Sequence, residues 1–151
     1  MMSADQLTTD QRGAIAELAI ARRAIEIGVD VYRPVAEGGR YDLIFGVGGR
    51  LLRVQCKWAR RKREIIPVPF YSARRAADGL RRRVYTAAEI DAIAAYCPDV
   101  ERCFLLPFHQ FEGRTLVHLR LCPSRNNQRI GVNWADDFAL EALHFGATQG
   151  P

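Results

Sequence analysis

The chain has 151 residues, 48% of them hydrophobic, and a formal net charge of +5. That length fits one domain, residues 1–151, around a single sizeable core. Its four cysteines, Cys56, Cys97, Cys103 and Cys122, form no CxxC pair, and no signal peptide or bilayer-length apolar run is present. A membrane-spanning helix is thereby excluded, and a reduced cytoplasmic protein without a disulfide framework is expected.

Residues 9–27 read as a helix. Thr8 or Thr9 can cap its start, and Gly28 can end it in the left-handed conformation. At about 100° per residue, Arg12, Arg22, Arg23 and Glu26 fall on one side. Gly13, Ala14, Ala16, Ile20, Ala21, Ala24 and Ile27 fall on the other, and Glu17 sits near the middle of that small, apolar side. Burying an unpaired carboxylate is costly. Two readings are open: a structural ion pair or a side chain reaching the helix edge, or a metal ligand or base.

Residues 29–35 make a first strand, followed by a turn at Glu37-Gly38-Gly39. Residues 41–46 and 50–57 are two further strands, and Gly48-Gly49 between them marks a hairpin. Side chains alternate with period two, so Leu43 and Phe45 must share the core face with Leu52, Val54 and Cys56. A two-residue loop pairs Val47 with Arg50, Phe45 with Leu52, Leu43 with Val54 and Asp42 with Gln55. Lys57 is then the diagonal neighbour of Asp42. A carboxylate, an amide oxygen and an ammonium gather on one face, which the pattern leaves to solvent, with opposed Cβ atoms about 5 Å apart.

Residues 50–83 hold twelve Lys and Arg against Glu64 and Asp78, a net of +10, so the remainder nets −5. The basic groups are Arg60-Arg61-Lys62-Arg63, Arg74-Arg75 and Arg81-Arg82-Arg83, a pattern that suits a polyanion, DNA or RNA alike. Residues 64–71 look extended, and Pro67 and Pro69 put them at a sheet edge. Residues 72–84 read as basic and irregular. Residues 87–96 fit either a helix, from their alanines, or a strand. Residues 102–107 and 114–121 read as strands around Glu112-Gly113, and residues 134–144 as an amphipathic terminal helix. In the loop Ser124-Arg125-Asn126-Asn127-Gln128, the Asn and Gln amides could read adenine edges or simply form turns. Cys97, Cys103, His109 and His118 fit no common zinc spacing. Gly46–Gly49 joins two strands and lacks the helix that a phosphate-cradling loop requires.

Glu17, Asp42 and Gln55-Cys56-Lys57 resemble, in order and spacing, the PD-(D/E)xK nuclease superfamily. The likeness is nearest to its group I intron homing endonuclease branch, in which glutamine replaces the acid before x-K. Gly13-Ala14-Ile15-Ala16-Glu17-Leu18-Ala19, Tyr32-Arg33-Pro34, Arg40-Tyr41-Asp42-Leu43 and the Cys103-Phe104-Leu105-Leu106-Pro107 run resemble that branch too. The resemblance implies a restriction-endonuclease-like α/β core: an N-terminal helix packed on a mixed central sheet, extended by a C-terminal β-hairpin and helix. It argues for a strand at 87–96, entering a hairpin at Pro98-Asp99.

It also implies a Mg²⁺-dependent DNA endonuclease, with Mn²⁺ as a substitute, acting as a homodimer or homotetramer. Asp42, Gln55 and Glu17 would be the metal ligands and Lys57 the catalytic lysine. Arg60, Arg61, Lys62, Arg63, Arg74, Arg75, Arg81, Arg82, Arg83, Asn126, Asn127 and Gln128 are the candidate nucleic-acid contacts. Glu37 is either a further ligand or a loop charge. The chemistry is consistent on its own terms, since Mg²⁺ prefers oxygen ligands and a lysine can orient the attacking water. The rivals are a junction resolvase, a repair or restriction nuclease, and a nucleic-acid-binding module with a decayed site. The apolar side of the terminal helix (Phe138, Leu140, Leu143, Phe145) and a hairpin over 102–121 are candidate oligomer contacts, or else complete the monomer core.

Overall fold

A computed structural model describes residues 1–123 and 131–143, with the side chains of Arg74 and Arg75 also outside it. Asn126, Asn127, Gln128 and Phe145 therefore lie outside the described residues.

Helix α1 (Thr9–Glu26) begins with a reciprocal cap. Gln11 N–H donates to Thr8 Oγ1 at 3.1 Å, and Thr8 N–H donates to Gln11 Oε1 at 2.9 Å, satisfying two otherwise orphaned donors. Gly28, at φ +89°, ends the helical segment where a side chain would be strained. The small-residue face is the buried one, through Ala16, Ile20 and Ala24.

The central sheet has the order β1 (Asp30–Tyr32), β2 (Leu43–Val47), β3 (Arg50–Trp58), β7 (Ala92–Cys97), β8 (Arg102–Pro107). The expected hairpin register is present: Leu43 pairs with Val54, Phe45 with Leu52 and Val47 with Arg50. Gly48 and Gly49 both have positive φ, as their two-residue turn requires. Strand β7 runs parallel to β3 and forms an antiparallel hairpin with β8, so residues 92–97 take the strand alternative.

Alternation along these strands builds two cores. Leu43, Phe45, Val54, Cys56, Ala92 and Ala94 pack towards Ile20 and Ala24 of α1. Ile93, Ala95, Cys97, Phe104 and Leu106 pack on the opposite side against Ile66, Val68, Val117 and Leu119. That second layer is a small sheet of β4 (Ile65–Pro69), β9 (Leu116–Arg120) and β10 (Asn133–Trp134), with the proline-bearing β4 at an edge as expected. Cover on both faces explains why β7 and β8 are near-continuous apolar runs.

Three expected elements are corrected. Residues 72–84 are not irregular: β5 (Tyr71–Ala76) and β6 (Gly79–Val84) pair as an antiparallel ribbon that joins neither sheet. Every described β6 residue is exposed, so there is no buried face to imprint an apolar alternation on the sequence. The 102–121 hairpin does not form. A buried helical turn, α2 (Phe108–Phe111), redirects the chain, and β9 pairs with β4 instead of β8. The single helix over 134–144 is replaced by β10, a 3-10 turn at Ala135–Phe138 and a short helical turn from residue 141. Ala139 breaks the helix because it bridges Phe104, and Leu140 N–H donates to the Cys103 carbonyl at 3.0 Å. Phe138, Leu140 and Leu143 thus pack into the monomer's own cores.

Candidate active site

Strand β1 stops at Tyr32, opposite Ile44, and Pro34 has no N–H with which to extend the ladder. Beyond that point β2 has only β3 as a neighbour, and Asp42 lies there. Its backbone N–H donates to Val54 O at 2.9 Å, and its Oδ2 accepts from Cys56 N–H at 2.9 Å. The carboxylate is therefore held by the backbone of the Gln55-Cys56-Lys57 strand. Burial raises its pKa, outweighing the Cys56 hydrogen bond and the Lys57 charge, which lower it.

Glu17 reaches the same opening from the middle of α1. It lines a cleft of about 340 Å³ with Asp42, Arg33, Glu37 and Tyr41. Its Oε1 is 3.0 Å from Arg33 Nη2, so the ion pair read as one option from sequence is present. The ion pair does not silence the group. Desolvation, Asp42 and Glu37 raise the Glu17 pKa against the lowering by Arg33. Three carboxylates crowd one cleft that a single guanidinium incompletely neutralises.

Lys57 shares the Asp42 face but is not on a solvated surface, contrary to the sequence expectation. The ammonium donates to the Tyr71 carbonyl at 2.9 Å and lies 5.1 Å from the Tyr85 ring centroid. Burial lowers its pKa from 10.5 to about 8; Asp42 raises it and Arg40 lowers it further. The root of the β5–β6 ribbon covers this face, which pairing within the β2–β3 hairpin could not reveal. Gln55 is half-buried on the same side of β3. Arg53 also shares that side, but it is committed to Asp91, which accepts from both its backbone N–H and its Nε.

Among the described residues, no group of three or more His, Cys, Asp or Glu side chains is arranged to hold a metal ion alone. The donor set nevertheless fits a hard divalent cation. Two of the three carboxylates in the cleft, Glu17 and Asp42, have their protonated forms favoured by desolvation or a neighbouring negative charge, and Mg²⁺ commonly takes one or two carboxylates plus water and phosphate.

The sequence profile of the PD-(D/E)XK endonuclease family matches residues 7–141. The chain belongs to the PD-(D/E)XK endonuclease family. Among solved structures, the fold is similar to that of a bacterial homing endonuclease, I-Ssp6803I. The TM-score is 0.72 at 25% identity, covering 95% of this chain and 98% of that one. No curated protein sequence matches.

In this PD-(D/E)XK nuclease the basic groups divide. Arg60 is paired with Asp99 at 3.0 Å and with Asp5 at 3.2 Å, which ties the loop after β3 to the β7–β8 turn. Arg61 pairs with Glu64, Arg81 with Asp78 and Arg83 with Glu89. Arg82 stacks over the Tyr71 ring at 4.7 Å. Lys62 and Arg63 are exposed in the turn before β4. Sequence reasoning singled out neither Arg33 nor Arg40 as a functional residue. Both flank the Asp42 strand, but their partners are remote in sequence and gave no local signal. No helix among the described residues is long and apolar enough to cross a membrane.

Proposed function

We propose that this single-domain nuclease is a Mg²⁺-dependent DNA endonuclease of the homing type that hydrolyses phosphodiester bonds, with Mn²⁺ able to replace Mg²⁺. The observation that carries this reading is the meeting of Glu17 and Asp42 in one cleft while the backbone beside Lys57 holds the Asp42 carboxylate. Asp42, Glu17 and the Gln55 amide oxygen would hold the cation, which supplies charge neutralisation at the scissile phosphate and a lower pKa for water. Gln55 is neutral where an acid is common, so binding there leans on the two carboxylates.

Lys57 serves the attacking water. Its pKa of about 8 leaves a substantial neutral fraction near that pH, able to accept the water's proton as the new P–O bond forms. The P–O bond to the leaving oxygen then breaks, and that oxygen takes a proton from solvent. In its ammonium form the same side chain stabilises charge on the phosphoryl oxygens. Affinity comes from the exposed cations of residues 60–63 and of the ribbon. A single site cuts one strand, so the acting species is taken to be a homodimer or homotetramer.

The test is single-turnover cleavage of duplex and branched DNA with Mg²⁺ or Mn²⁺. Asp42→Ala and Lys57→Ala should each lose at least about a hundredfold in rate while still binding DNA. Cleavage by either variant at the wild-type rate would sink the site assignment, and a preference for branched over duplex DNA would favour a junction-resolving role.

A further inference from the structure

The β5–β6 ribbon joins the strand ladder of neither sheet, yet its root accepts a hydrogen bond from the lysine proposed to be catalytic. One side chain spans the strands at that root. Arg40 Nη1 donates to Ser72 Oγ on β5 at 2.9 Å, and Nη2 donates to the Val84 carbonyl on β6 at 2.9 Å. Its Nε lies 2.8 Å from Glu89 Oε2, an ion pair whose angle falls short of a hydrogen bond. The guanidinium also sits 4.3 Å from the centroid of Tyr85, the ring beside which Lys57 is placed. Ser72 follows Tyr71, whose carbonyl accepts the Lys57 hydrogen bond; Val84 precedes Tyr85. Arg40 therefore grips both strands one residue away from the two groups that seat Lys57. Only an arginine can do this, because one planar fork must serve two acceptors and a ring face together.

We infer that Arg40 is a positioning residue for Lys57, locking the ribbon root so that the Tyr71 carbonyl and the Tyr85 ring hold the ammonium in place. The inference rests on the nuclease reading of Lys57. The rival is that Arg40 is simply one more cation for DNA phosphates. The two differ at Arg40→Lys, which keeps the charge and loses the fork.

The test uses the full chain. Single-turnover cleavage at saturating DNA should fall roughly 10- to 100-fold in Arg40→Lys, since small misplacements of a reacting group cost that much. DNA affinity should stay within about threefold, because the charge remains. An unchanged rate at saturation would overturn the inference and leave Arg40 a phosphate contact. A second readout needs no catalysis. Lys57 and Lys62 are the chain's only lysines, and Lys62 is exposed, so it serves as an internal reference for amine acetylation read by mass spectrometry. The Lys57-to-Lys62 labelling ratio of the wild type sets the baseline, and it should rise at least about threefold in Arg40→Gln as the ribbon root opens. Losing the Arg40 charge by itself favours protonation of Lys57 and would slow acetylation, so faster labelling reports exposure. An unchanged ratio would overturn the inference. If the wild type cleaves no DNA but Lys57 protection is still lost in Arg40→Gln, the nuclease reading fails and the positioning role stands. Thermal melts accompany both assays. Should Arg40→Gln not fold, Ser72→Ala, which removes one Arg40 acceptor, must raise Lys57 labelling above wild type or the inference falls.

Discussion

Replacing Lys57 with methionine should stabilise this protein while destroying its cleavage activity. The folded pKa of about 8 lies below the ordinary 10.5, so at neutral pH the native state carries a charge that burial disfavours. At about 1.4 kcal/mol per unit, that gap corresponds to about 3 kcal/mol of destabilisation. Methionine keeps the apolar stem and discards the charge. It also discards the hydrogen bond to Tyr71, worth about 1–2 kcal/mol for a charged donor. A net gain of about 1–2 kcal/mol remains. The pH dependence carries a definite sign. Between about 8 and 10.5 the native state sheds the Lys57 proton while the unfolded chain keeps it, so wild-type stability rises with pH through that window. Lys57→Met lacks this rise. Its advantage is therefore full below about 8 and shrinks towards zero, or reverses by the lost hydrogen bond, near 10.5. Urea unfolding followed by tryptophan fluorescence, with EDTA present, measures the difference at several pH values. A variant less stable than wild type at neutral pH, or a difference that does not change with pH, would refute the reasoning.

Glu17→Gln should leave stability within about 1 kcal/mol, because losing the Arg33 ion pair is offset by relief from desolvation and from Asp42 and Glu37; its cleavage should need more Mg²⁺, and an unchanged metal requirement would reduce Glu17 to a structural partner of Arg33. DNA affinity should fall steeply with salt: if half of the net +10 in residues 50–83 reaches phosphates, the log–log slope is about −4 to −5. A slope near zero would remove that segment as the electrostatic footprint. Light scattering at micromolar protein without DNA should report at least two chains; a clean single-chain mass would end the homodimer or homotetramer reading.

Local periodicity carried much of the fold. Helix α1, its cap and its buried face follow from a 3.6-residue repeat, and the β2–β3 register follows from alternation about a Gly-Gly turn. Elements with no buried stripe of their own were less legible. Strand β6 of the ribbon exposes its arginines, so it leaves no apolar rhythm. The segment after Trp134 imitates one helical face in its sequence because its apolar residues serve two different cores.

For the site, the sequence alone determined that Asp42, Gln55 and Lys57 share one side of a hairpin, because side-chain parity is a covalent property of an extended chain. It also marked Glu17 as anomalous, since a carboxylate on a small-residue helix face has no cheap burial. Only the tertiary structure decided that Glu17 opens into the Asp42 cleft while paired with Arg33, and that the Lys57 face is covered rather than wet. Those facts depend on where α1 crosses the sheet and on where the ribbon root lands. Such contacts join residues far apart in the chain, and a local pattern holds no record of them.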